Sequence, residues 1–140
     1  MKLTENFTLE EMIKSETATR LKIDNTPNQK IIDNLKALCV NLLEPLRNKL
    51  NKPIIILSGY RCSELNKAVG GVGNSKHLLG QAADIKVEGM TNLDLVKFIE
   101  KNFKYDQLIL EFMNENDLFS GWVHVSWMGA SNRNQFLRIG

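Results

Sequence analysis

The stretch SGYRCSELNKAVGGVGNSKHLLGQAADI, residues 58–85, joins two apolar runs through a glycine-rich loop. Ile54-Ile55-Ile56-Leu57 leads into it, a short β-branched run entered through Pro53 that reads as a buried strand. Ser58-Gly59 ends that strand, and residues 63–69 fit one or two helical turns. Gly70-Gly71-Val72-Gly73-Asn74 is loop by composition, and residues 82–87 read as a second strand. The stretch therefore predicts a strand, a loop excursion and a return strand, with His77 and Asp84 at its far end.

Upstream, the chain reads as scaffold. Thr8-Leu9-Glu10-Glu11 has the form of a capping box and opens a helix over about residues 9–20. Thr26-Pro27-Asn28-Gln29 is a second start signal, with Thr as cap and Pro at the first helical position. Ile31, Leu35, Leu38, Leu42, Leu46 and Leu50 then recur at helical spacing, with Pro45 expected to kink that helix or end it near Glu44. Downstream, Thr91 caps a helix to about Asn102 with Leu95, Phe98 and Ile99 inward. Strands follow at 105–112, 122–127 and 135–139, with a turn at 114–117. Helices first and strands later, with a hairpin between the third and fourth strands, indicate an α+β fold: a mostly antiparallel sheet packed against N-terminal helices.

Composition narrows the function classes. A chain of 140 residues is one domain by size, residues 1–140, with enough buried surface for a core without disulfide staples. The net charge of +2 gives no argument for nucleic acid. No run of about 18 apolar residues exists, so no membrane insertion is expected. The N-terminal MKLTENFTLEEMIKSE lacks a signal peptide's apolar centre, which implies synthesis in the cytoplasm. Cys39 falls in a helical apolar pattern and Cys62 in the central stretch; reduced thiols fit that compartment, and a disulfide between them stays open.

The chain has two histidines, His77 after the glycine loop and His124 in WVHVSW, residues 122–127. Imidazole and carboxylate are the usual ligands of hydrolytic zinc, in sets of three with water in the fourth position, and Asp84 is the natural third. A turn through Leu79-Gly80 brings His77 and Asp84 together, whereas a continuous helix would hold them about 10 Å apart. The period of two puts Trp122, His124 and Ser126 on one face and Val123, Val125 and Trp127 on the other, so at most one tryptophan lines a cleft. Without a metal, the same residues read as a hydrogen-bonded histidine and a turn aspartate.

Ser75-Lys76-His77-Leu78-Leu79-Gly80-Gln81-Ala82-Ala83-Asp84 resembles the S-x-H-x-x-G-x-A-x-D motif of the zinc D-Ala-D-Ala carboxypeptidase family. That family includes phage L-alanyl-D-glutamate endopeptidases and vancomycin-resistance dipeptidases, and it shares its fold with hedgehog signalling domains. Ser58-Gly59-Tyr60-Arg61 is similar to the family's S-G-[YF]-R segment and residues 122–126 to its second-histidine strand, over about residues 25–127 in all. The resemblance implies a hedgehog/DD-peptidase-like fold, one zinc ion held by His77, Asp84 and His124, and hydrolysis of peptidoglycan stem peptides by a monomer.

The resemblance breaks at one position. Many members carry a catalytic Glu three residues before the last histidine, where this chain has Gly121. Glu111, ending the third strand in Asp106-Gln107-Leu108-Ile109-Leu110-Glu111, is the expected base, because a hairpin can bring it to the metal. Glu115 and Asp117 in the turn are weaker candidates. Arg61 is expected to bind a substrate carboxylate or the oxyanion, or else to pair with Glu64; Ser75 is expected to contact substrate or orient its loop. Gln81 and Asn66 are further contacts with no assigned role. Without a leader or a wall-binding repeat, the chain resembles a phage or prophage lysis peptidase that reaches the wall after release or delivery. The alternative, drawn from Gly121, is a zinc-stabilised binding module without turnover.

Overall fold

The computed structural model describes all of residues 1–140. Its first feature has no sequence signature: Lys2–Thr4 (β1) and Phe7–Thr8 (β2) pair as a small hairpin, too short for an alternating pattern to register. The capping box then forms as expected. Thr8 Oγ1 accepts from the Glu11 N–H at 3.2 Å, and the Glu11 carboxylate accepts from the Thr8 N–H at 2.8 Å. The expected helix over 9–20 is two helices instead. Leu9–Ile13 (α1) stops at Lys14, and Ser15 caps Glu16–Leu21 (α2) by accepting from the Ala18 N–H. A serine that can bond the backbone three residues on competes with helix continuation, and here it prevails.

The second start signal lies two residues later than read. Asn28 caps Gln29–Leu38 (α3), accepting from the Ile31 N–H at 3.0 Å, while Thr26 donates its hydroxyl to Asp24. Pro45 does not end the helix. Cys39–Leu43 widens into a π-helical turn and Glu44–Leu50 (α4) carries on. Asn41, whose carbonyl a proline ring at position 45 would strike in a regular helix, lies inside the widened turn. Leu35, Leu38, Leu42, Leu43 and Leu46 are fully buried along this helical run, each removing enough apolar surface from water to contribute about 1.5–3 kcal/mol.

Five strands form the main sheet: Ile54–Ser58 (β3), Ala82–Val87 (β4), Gln107–Glu111 (β5), Trp122–Ser126 (β6) and Gln135–Ile139 (β7), in the order β3-β4-β6-β5-β7. All pairs are antiparallel except β5 with β7. Between β3 and β4 lie Ser63–Ala68 (α5), the glycine loop and a 3-10 turn at Lys76–Leu79; Asn92–Asn102 (α6) follows β4. The α+β architecture is the expected one. One strand differs: β3 is an edge strand, not a buried one, with Ile55 and Leu57 44% and 48% exposed. A continuous apolar run does not distinguish a strand covered on both faces from one with a wet edge.

Alternation along the strands separates two faces. Ala83, Ile85, Leu108, Leu110, Val123 and Val125 point into the core, with the leucines of α3 and α4 and with Leu95 and Ile99 of α6. Asp84, Ile109, Glu111, Trp122 and His124 rise from the opposite, open face. Cys39 is buried in the core, which pushes its thiol up to about 12, and both cysteines are free, so the disulfide left open by the sequence is not made.

One ion pair, between a buried carboxylate and an exposed arginine, ties the sheet to the chain end. Asp106, fully buried, accepts from Arg133 Nε at 2.9 Å, Nη2 at 2.8 Å and the Arg133 backbone N–H at 3.1 Å. The hydrogen bonds from Arg133 hold the Asp106 carboxyl below its ordinary range. A group with a depressed folded pKa stabilises fully above about pH 4 and loses that contribution as pH falls through its folded value. Arg133→Ala is therefore expected to cost about 1–3 kcal/mol at neutral pH, with the wild-type and variant urea curves converging in acid. Curves that stay equally far apart at all pH values would show that the ion pair is not the cause.

Candidate metal centre

Three separate segments build the centre. Asp84 on β4 and His124 on β6 are directly opposed in the antiparallel ladder, so register alone places them side by side on the open face. His77 comes from the 3-10 turn, which Ser75 caps by accepting from the His77 N–H at 3.2 Å. The ring is aimed by the strand end before it: His77 Nδ1 lies 2.6 Å from the Gly59 carbonyl oxygen. Nδ1 must be the protonated nitrogen to donate there, which leaves Nε2 with a free lone pair facing Asp84. Gly59 can do this only as glycine. A Cβ at that position would stand 2.2 Å from the Met12 carbonyl oxygen, where the strand exit presses on α1.

The donor atoms converge. His77 Nε2 is 3.2 Å and His124 Nδ1 is 3.1 Å from Asp84 Oδ1, and all three ligand atoms lie within 4.8 Å of one another. Tetrahedral zinc with bonds of about 2.0–2.1 Å spaces its ligand atoms about 3.3 Å apart. The cluster fits that ion in donor type, number and spacing. All three residues are buried. Burial alone would raise the pKa of Asp84, but the two imidazoles beside it, His124 first and then His77, outweigh that effect and hold the carboxyl well below its ordinary range. A carboxylate that is ionised at neutral pH beside two imidazoles is the state a cation needs.

The centre opens into a cleft of about 890 Å³ whose walls include the expected ligands His77, Asp84 and His124 together with Arg61, Ser75 and Glu111, while Gln81 and Asn66 do not line it. Glu111 ends β5, two strands from Asp84. Burial first, and then the negative charge of Asp84, push its pKa up, opposed by His124. Arg61 makes no ion pair with Glu64. Its backbone N–H donates to the His77 carbonyl at 3.1 Å, and its Nε is buried without a partner. Trp122 lines the cleft, whereas Trp127 packs against the core, the division that strand periodicity implied. Glu115 and Asp117 lie outside the cleft, in the exposed turn.

Gly121 has a structural cause. Its φ is +71°, and a Cβ there would lie 2.1 Å from the Glu111 carbonyl oxygen and 2.6 Å from the Phe112 carbonyl carbon. No side chain fits at that position, glutamate included, while the carboxylate one strand over faces the same cleft.

Two positioning residues stand behind the cleft: Asn25, which carries no readable signal, and Asn66, which the sequence offers only as a contact without a role. Asn25, nearly buried, donates to the carbonyls of Ile13 and Tyr60 and accepts from the Cys62 N–H, which pins the segment carrying Arg61. Asn66 donates to the Val72 carbonyl and stands against Gly71, holding the glycine loop at the cleft wall. A lone asparagine in a loop looks alike whether it staples two segments or faces water.

No curated protein matches the chain. The family model described as Peptidase M15 matches residues 5–126, a span that includes the glycine loop, the three candidate ligands and Glu111. With a buried His-Asp-His cluster of zinc-like spacing on the open face of the sheet, and with that match over most of its length, the chain belongs to the Peptidase M15 family of zinc-dependent peptidases.

Proposed function

We propose that this chain hydrolyses peptide bonds in the stem peptides of peptidoglycan, with one zinc ion held by His77, Asp84 and His124. The observation that carries the proposal is Glu111: a half-buried carboxylate of raised pKa in the same cleft as a three-donor metal cluster. Zinc, when bound, acts as a Lewis acid that lowers the pKa of a coordinated water to about 7 and polarises a carbonyl. Glu111 takes the proton of the attacking water and returns it to the leaving amine, a role for which a raised carboxylate pKa is suited. Arg61 presents a guanidinium whose Nε lacks any protein partner, and it binds the oxyanion or a substrate carboxylate; one such fixed donor is worth about 2.7–4 kcal/mol. Ser75 uses its oxygen to hold His77 and keeps its hydroxyl proton for the peptide.

All these groups come from one chain, so a monomer suffices. The substrate lies in the wall, and the enzyme reaches it by release through a permeabilised membrane or by delivery in a phage particle, as in phage or prophage lysis. Zinc-loaded protein incubated with defined muropeptides, followed by mass spectrometry, is expected to yield either free D-alanine or fragments cut beside a D-residue, which separates carboxypeptidase from endopeptidase. Retention of one tightly bound zinc with no new amino groups would leave the binding module as the correct reading. Gly121 no longer favours that alternative, because backbone geometry accounts for it.

A further inference from the structure

Trp122 faces Glu111 directly across the β5–β6 ladder, so the two side chains rise together from the open face. Theirs is the last pair of that ladder, and the chain leaves it on both sides in the left-handed region, at Phe112 (φ 55°) and Gly121 (φ 71°). For a bulky residue such as phenylalanine that backbone is an outlier, sustained only where the surroundings over-determine it. Here the Phe112 N–H donates to the Ile139 carbonyl at 2.8 Å. The ring then lies 5.3 Å from that of Trp122, tilted by 40°, although the residue stays 55% exposed. The strained backbone thus sets an exposed aromatic ring as a brace against the tryptophan.

The brace has a consequence at the indole. Trp122 Nε1 is buried and has no hydrogen-bond partner, an arrangement rare enough in folded proteins to require a reason. The acceptor across the ladder is the Glu111 carboxylate, the side chain that faces the indole in that last pair. Catalytic hydrogen bonds are often long in a free enzyme and close only in the substrate complex.

We propose that Trp122 is a positioning residue for Glu111: braced by Phe112, its indole N–H closes on one carboxylate oxygen and leaves the other directed at the scissile bond. The proposal rests on the reading of Glu111 as the base. A double-mutant cycle with zinc-loaded protein tests it. Trp122→Phe keeps the ring and removes the N–H; kcat is expected to fall about tenfold with KM changed less than about twofold and zinc content unaltered. In a Glu111→Gln background the same substitution is expected to cost nothing further, because the group it orients is gone. Independently of turnover, with zinc-loaded protein saturated by a stem peptide, the indole N–H resonance of Trp122, assigned by its absence in Trp122→Phe, is expected to move upfield in Glu111→Gln. An unmoved resonance, an equal loss in both backgrounds, or a raised KM at unchanged kcat would each overturn the proposal. A wild type that hydrolyses nothing removes the peptidase reading, and the resonance then decides by itself whether indole and carboxylate meet.

Discussion

Replacing His77 by alanine is expected to leave a folded protein that holds no zinc after dialysis and hydrolyses stem peptides at background rate. His77 is 1% exposed and supplies one of three donors, with its ring fixed by the Gly59 carbonyl. Disturbing only the partner that orients a ligand costs about 10–100-fold in metal affinity, so removing the ligand itself costs more. Thermal denaturation gives an independent reading. Zinc at about 100 times its Kd stabilises a protein that binds it only when folded by about 2.7 kcal/mol, a gain that the wild type should show and the variant should lack. The cavity left by the imidazole lowers stability in both metal states, so the comparison that matters is the zinc-dependent increment within each protein. A variant that keeps stoichiometric zinc would show that the ion sits elsewhere, and the assignment of Asp84 and His124 would fall with it.

The reach of the sequence follows from what each feature depends on. Asp84 and His124 were legible because strand alternation put both on one face, and the antiparallel register then opposed them residue to residue. His77 was legible through its motif, but its tautomer was not, since that rests on the carbonyl of Gly59, eighteen residues earlier in the chain. Along the sequence Gly59 reads only as the end of a strand. Only its contact with Met12, on a helix distant in sequence, shows why a side chain is excluded there. Likewise the caps at Thr8 and Thr91 were readable because they are local, while the cap at Asn28 was not, because Thr26 had an equally good local partner in Asp24. The Asp106–Arg133 pair links residues 27 apart that share no pattern. Periodic and local chemistry can be read along the chain; contacts made by loops across the fold need coordinates.

The Glu111→Gln variant carries the second large effect. It is expected to bind zinc as the wild type does, to fold with unchanged stability within experimental scatter, and to lose about 10²–10⁴ in kcat, the range for a positioned general base. The substitution keeps the size and one acceptor oxygen while removing the ionisable group, so a loss of that size with zinc retained assigns the proton transfer and nothing else. The glutamate that many relatives place three residues before the last histidine should not substitute for it. Gly121→Glu in the Glu111→Gln background requires a Cβ 2.1 Å from the carbonyl oxygen of residue 111 and a left-handed backbone that glutamate disfavours. The hairpin must deform to accept it, so activity is expected to stay lost and stability to fall. Recovery of hydrolysis in that double variant would mean that the hairpin end is plastic and that the base can be supplied from either strand. An undiminished kcat in Glu111→Gln would be the stronger result, because Glu115 and Asp117 lie outside the cleft and no other glutamate lines it. The water would then have to be activated by the metal centre alone, since Asp106, the other carboxylate of the cleft besides Asp84, is engaged by Arg133, and the raised pKa of Glu111 would be a by-product of its burial beside Asp84.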